Sequence, residues 1–286
     1  MMDVLHKTKC APDAIVIGAM RAGTTALYRS LMESQLVAVP EAKETDYYLT
    51  PDHLARGEKW YRSQFRNSDL PWIDICPNYT KRDVFPGAVT RVHENAPDAK
   101  LVFIARDPVT RAVSQYNHTF MHRASIPAPS ELLESSQGEH ILKVSKYAYQ
   151  LQPYFERWSA KDILIVDFDE FLEAPEAVLV QIMKHVGVEN VQASPVQTLR
   201  KVNSGEDLRH MPRWWGQLRE TPVGQYLRAR APRKLIDRTR SVLKSDKPVE
   251  IPSFDRDTKA RLAELLRPDA ERFRKMTGRK FAHWSV

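Results

Sequence analysis

Three short uninterrupted apolar runs stand out along the chain, Ala14–Ile17, Leu101–Ala105 and Ile163–Val166, and each leads into a polar loop and then a segment of helical periodicity. Continuous rather than alternating apolarity marks a parallel strand covered on both faces, and its alternation with helices predicts an α/β fold. Trp72–Cys76 predicts a fourth strand, stopped by Pro77. Helices are predicted over Thr25–Met32, His53–Phe65, Pro86–Glu94, Val109–His122, His140–Trp158, Pro175–His185 and Thr258–Thr277. The last carries Leu262, Leu265, Leu266, Phe273 and Met276 at near-helical spacing, is interrupted by Pro268, and meets a C-cap in Gly278. Ala124–Gln137, with Pro127, Pro129 and four serines, predicts an exposed loop and a candidate lid. From about 195 to 252 the strand signal disappears while prolines and arginines accumulate around Trp214 and Trp215. That region is expected to be irregular, basic and mostly helical, packed over the ligand edge of the sheet, with the two tryptophans anchoring it.

The richest chemistry lies just after the first apolar run. Gly18-Ala19-Met20-Arg21-Ala22-Gly23-Thr24-Thr25 joins a strand to a helix start. Backbone N–H groups of such a loop, with the free donors and positive end of the helix, form a pocket for a phosphate-like anion. The spacing is that of a P-loop, yet Thr24 occupies the place of the lysine, and the cation stands upstream at Arg21. A nucleoside triphosphatase needs that lysine on its β- and γ-phosphates, so the displaced charge points to another phosphorylated donor. In an open α/β sheet ligands sit beyond the carboxyl ends of the strands, so the turns after Ile17, Cys76 and Ala105 should converge. After Ala105 come Arg106-Asp107-Pro108 and, on the next helix, Ser114. A guanidinium fork and a hydroxyl facing one anion suit a terminal phosphate. Two such sites on neighbouring strands imply a donor with phosphates at both ends.

Composition narrows the setting without choosing the ligand. The 286 residues, 42% hydrophobic, fit one α/β domain over 1–286. No apolar stretch approaches the roughly 20 residues of a membrane span, and the first residues lack a signal peptide's apolar centre. A cytoplasmic, membrane-free protein is expected. Cys10 and Cys76 read as reduced thiols. The net charge of +7 suits an anionic ligand. It also suits a nucleic-acid binder, although no aromatic-interleaved RNA-binding signature accompanies it.

Together, the loop Arg21-Ala22-Gly23-Thr24-Thr25 and the segment Arg106–Ser114 resemble the 5′-phosphosulfate and 3′-phosphate motifs of sulfotransferases that use 3′-phosphoadenosine 5′-phosphosulfate, PAPS. Tyr147–Gly187 is similar to that family's core strand and following helices, and Met276–Trp284 to the terminus of its heparan sulfate branch and bacterial relatives. The resemblance covers roughly two thirds of the chain and implies a P-loop-type parallel sheet, PAPS as co-substrate and no required metal. It also implies in-line sulfuryl transfer to a hydroxyl, or in second place an amine, of a small metabolite or glycan. Lys43-Glu44-Thr45-Asp46-Tyr47-Tyr48 is similar to the branch's Glu-x-x-aromatic-aromatic pattern, which puts the catalytic base on Glu44 and makes Asp46 and Tyr47 candidate substrate contacts.

Three departures qualify the resemblance. Arg21 replaces the family's lysine, and because arginine stays charged it stabilises the leaving phosphate without donating a proton. Asp74-Ile75-Cys76-Pro77 stands where the heparan sulfate branch tends to show Glu-Lys-x-Pro, and the missing lysine weighs against a polysulfated acceptor. Arg200–Gly205 matches the late basic loop only loosely. A P-loop kinase and a non-enzymatic basic nucleic-acid-binding protein are the competing readings.

Overall fold

The computed structural model describes residues 11–66, 69–122, 126–188 and 251–286. Its centre is a parallel four-stranded sheet made by β1 (Ala14–Gly18), β2 (Ile73–Ile75), β3 (Lys100–Ala105) and β4 (Ile163–Asp167), in the order β2-β1-β3-β4. β1 pairs with β2 from Ala14↔Ile73 and with β3 from Ala14↔Lys100, and β3 pairs with β4 from Leu101↔Ile163. Ala14, Ile15, Val16 and Ile17 are completely buried, which is why that stretch is apolar without alternation. Because all strands run the same way, the turns that follow them share one edge, as the sequence leads one to expect.

The helices cover both faces of this sheet. They are α1 (Thr24–Ser34), α2 (Pro51–Leu54), α3 (Gly57–Arg62), α4 (Ala88–Asn95), α5 (Pro108–His122), α6 (Pro129–Leu132), α7 (Ser136–Ser145), α8 (Tyr147–Phe155), α9 (Phe168–Glu173), α10 (Pro175–His185) and α11 (Arg256–Thr277). Two predicted helices are each divided. The His53–Phe65 segment breaks at Gly57, whose φ of 81° lies in the left-handed region, into α2 and α3. The His140–Trp158 segment breaks at Lys146, whose ψ of 86° is not helical, into α7 and α8. Asp269 of α11 then accepts the backbone N–H groups of Ala148 (2.9 Å) and Tyr149 (3.0 Å), capping the new helix from a distant part of the chain. Amphipathic periodicity runs through both breaks, so the pattern alone does not reveal them.

Residues 129–137 differ from the exposed loop expected there. Pro129 and Leu132 are buried in α6, Ser135 caps α7 by accepting the Gly138 N–H at 3.0 Å, and Tyr116 donates to the Pro127 carbonyl at 3.0 Å. These contacts explain the proline and serine content as helix starts rather than loop composition. α11 runs through Pro268 instead of stopping there, and ends at Gly278 (φ 68°). Beyond it Phe281 and Trp284 stack on each other with centroids 4.2 Å apart, and both stack on Phe273. The expected irregular segment over 195–252, including Arg200–Gly205, Trp214 and Trp215, lies outside the described residues except for its last two positions, as does Cys10. Cys76 is a buried free thiol. Among the described residues no helix is long and apolar enough to cross a membrane.

Candidate anion-binding and transfer site

The loop between β1 and α1 is built for close backbone approach. Gly23 has φ 87°, and a Cβ there would sit 2.8 Å from the Phe168 ring, while a Cβ on Gly18 would meet Phe103 and Thr80 at 2.8 Å. Arg21 adopts φ 71°, a left-handed conformation uncommon for a residue with a side chain. Gly23 occupies the N-cap of α1 with no side-chain cap, so the helix offers its first N–H groups uncapped. Ala22 and Thr24 are buried behind the loop and Thr25 is exposed on it.

The second predicted segment meets this loop directly. Arg21 Nε donates to Ser114 Oγ at 3.2 Å, and Arg106 Nη1 donates to the Arg21 carbonyl at 3.1 Å. Asp107 fixes the start of α5 by accepting the Thr110 N–H at 2.7 Å, which orients the helix that carries Ser114. Its other oxygen accepts the N–H (2.6 Å) and hydroxyl (2.8 Å) of Ser285, tying the tail after α11 to the same corner. Arg106 lies over the Phe168 ring, 4.8 Å from its centroid, and Tyr147 donates to the Arg106 carbonyl at 2.9 Å.

Sequence reasoning missed several residues here. Arg111 is fully buried and spans the loop and the helices behind it: Nη1 donates to the Met20 carbonyl (3.3 Å), Nε to Ser145 Oγ (3.0 Å) and Nη2 to the Ile141 carbonyl (3.0 Å). The signal was an arginine on the buried side of α5, among Val109, Ala112 and Tyr116. Burial lowers its pKa to about 10, and burial likewise lowers Arg21, Arg106 and Lys81 from their ordinary values. Arg21 is held down further by Arg106, whereas Glu44 pulls Lys81 back up against burial. None of these four cations forms an ion pair with a described carboxylate. Positive charge gathered at this corner suits an anion.

Glu44 approaches from the loop after α1. Its Oε1 accepts from Lys43 Nζ at 2.7 Å and its Oε2 from Asn78 Nδ2 at 3.4 Å, and Lys43 Nζ also reaches Thr24 Oγ1 at 3.4 Å. Asp46 (φ 54°) accepts from Asn78 Nδ2 at 3.1 Å and from the Cys76 thiol at 2.8 Å. Tyr47 is buried and stacks on Tyr61 at 4.4 Å, beneath rather than beside this polar rim. Between Glu44 and Asp46, Thr45 donates to Asp74, which also accepts the Tyr61 and Tyr79 hydroxyls, each at 3.1 Å. Burial raises the Asp74 pKa to about 6 against the pull of those hydroxyls. Thus β2, through Asp74, and the turn after it, through Cys76 and Asn78, hold the Glu44 loop, a role that the departure at Asp74–Pro77 does not reveal in sequence.

Comparison with known proteins agrees with this geometry. A family model described as "Sulfotransferase domain" matches residues 11–218. The bifunctional heparan sulfate N-deacetylase/N-sulfotransferase 1 of Caenorhabditis briggsae is 28% identical over 196 residues, covering 62% of this chain and 22% of that protein. The heparan sulfate glucosamine 3-O-sulfotransferase 3B1 of Homo sapiens is 25% identical over 283 residues, covering 96% of this chain and 65% of that protein. The chain therefore spans less than two thirds of either relative. A sulfotransferase from Alicyclobacillus acidocaldarius shares the fold, with a TM-score of 0.67 at 18% identity over 97% of this chain and 100% of that one.

Proposed function

The chain belongs to the sulfotransferase domain family, and on that premise we propose that it transfers the sulfuryl group of PAPS to a hydroxyl, in preference to an amine, of a small metabolite or glycan. The observation that carries this reading is the direct contact of the two predicted anion sites, Arg21 Nε to Ser114 Oγ at 3.2 Å. Arg21 and Arg106, neither in an ion pair with a described carboxylate, next to an uncapped helix start, fit a nucleotide bearing phosphates at both ends. When bound, PAPS supplies the activated sulfuryl group.

The chain's own residues divide the work. The loop N–H groups, Thr24 and Thr25 hold the 5′-phosphate, while Arg106 and Ser114 hold the 3′-phosphate. Arg21, joined to both, sets a permanent positive charge against the phosphate oxygen as it leaves. Glu44 takes the acceptor's proton as the acceptor oxygen attacks sulfur, a contribution of roughly 10²–10⁴-fold. Asp46 offers a polar rim to the acceptor over a floor that includes Tyr47. One position weighs against a polysulfated acceptor: Ile75 stands where the branch has lysine and is completely buried, so it offers no cation there.

Transfer of labelled sulfate from PAPS into a panel of alcohols, sugars and amines tests the proposal. Label should enter at least one hydroxyl acceptor, and its rate of entry should fall by roughly 10²–10⁴-fold in Glu44→Gln. A panel with no labelled product, from protein shown to be folded, would contradict it.

A further inference from the structure

Arg21 leaves the loop without a lysine at either expected position, and the structure returns one through space. Lys43 Nζ lies 3.4 Å from the hydroxyl of Thr24, the residue standing where a P-loop lysine would be, and 2.7 Å from Glu44 Oε1. Its side chain is only 23% exposed. A lysine next to a glutamate in sequence is ordinarily a solvated surface pair, but such a pair does not also engage a buried threonine of another segment 19 residues away.

We propose that Lys43 is a catalytic residue that binds the sulfuryl oxygens during transfer; this rests on the donor reading above. Thr24 marks the phosphate side of the reacting centre, and Glu44 marks the side from which the acceptor's proton is removed. An ammonium bonded to both stands between them, where the three oxygens of the group in transit must pass. In the step, the acceptor oxygen forms a bond to sulfur as the bond from sulfur to the bridging phosphate oxygen breaks. The acceptor's proton goes to Glu44, and the electron pair of the broken bond stays on the phosphate. Lys43 keeps its proton throughout and contributes charge and hydrogen bonds. This division suits the pair of cations present: Arg21 is a rigid fork matched to phosphate, and Lys43 a compact, rotatable ammonium that can follow a moving group.

The two nucleotides that differ only in the sulfuryl group separate this role from a structural one. Calorimetric titration of the whole chain with PAPS and with 3′-phosphoadenosine 5′-phosphate should show that Lys43→Met loses roughly tenfold or more in affinity for PAPS. It should keep wild-type affinity for the desulfated nucleotide, with Lys43→Arg recovering part of the loss and both variants melting near wild type. Equal affinities for PAPS in wild type and Lys43→Met would overturn the proposal, as would a parallel loss for both nucleotides, which would make Lys43 a support of the loop. A wild-type chain that binds neither nucleotide would instead remove the donor reading itself.

Discussion

Arg106 Nη1 donates to the main-chain carbonyl of Arg21 at 3.1 Å, so the side chain assigned to one end of the donor also clamps the backbone assigned to the other. The two sites are mechanically one. Loss of Arg106 should therefore disturb more than a single phosphate contact.

Arg106→Ala is expected to weaken binding of 3′-phosphoadenosine 5′-phosphate by roughly 10- to 100-fold, the worth of one or two charge-assisted hydrogen bonds. Arg106→Lys should recover part of this, because a lysine restores charge without the fork. Calorimetry reads both values, and unchanged affinity in Arg106→Ala would place the 3′-phosphate elsewhere.

Glu44→Gln should retain nucleotide affinity while turnover falls by roughly 10²–10⁴-fold. The amide keeps the shape but accepts no proton. If steady-state rates with a responsive acceptor are equal in the two proteins, Glu44 has no part in proton transfer.

Gly23→Ala is expected to reach the donor site indirectly. The new Cβ would sit 2.8 Å from Phe168, the ring that supports the Arg106 guanidinium, on a backbone with φ 87°. A stability loss of about 1–2 kcal/mol follows from the backbone conformation alone, and nucleotide affinity should fall with it. Wild-type affinity in this variant would mean that Phe168 does not position Arg106.

Asp74 gives a pH signature for the Glu44 loop. Its folded-state pKa, raised to about 6 by burial, exceeds the unfolded value, so the native state holds this proton more tightly. The stabilisation is complete below about pH 4 and is lost as pH rises through about 6. Urea unfolding should show the stability of wild type relative to Asp74→Asn falling across that window, by an amount on the order of 3 kcal/mol. Parallel curves from pH 4 to 8 would show that Asp74 is not held this way.

Much of this molecule is readable in its sequence because its informative features are local. β1 and β3 are continuous apolar runs and the loop residues Gly18–Thr25 are contiguous, so strand, turn and helix start follow from neighbouring residues. That Arg106 and Ser114 lie close to the Gly18–Thr25 loop was legible because one strand end and the next helix position them, and Arg21 touches both. Residues whose roles arise from distant contacts were not: Arg111 looks like any helix arginine until Met20, Ile141 and Ser145 close around it. Lys43 reads as a surface charge until α1 brings Thr24 to it. The exposed loop expected at residues 129–137 is overturned for the same reason, since Leu132 is apolar for the sake of a core that the local sequence does not show.

The most direct test is thermal unfolding of the chain in chelator-containing buffer with 3′-phosphoadenosine 5′-phosphate, against ATP with magnesium. A ligand that binds the native state raises the melting temperature in proportion to the logarithm of its excess over Kd. Concentration-dependent stabilisation by the former without magnesium, and none by the latter, is the expected result. Stabilisation by magnesium–ATP alone, or by neither nucleotide, would contradict the account.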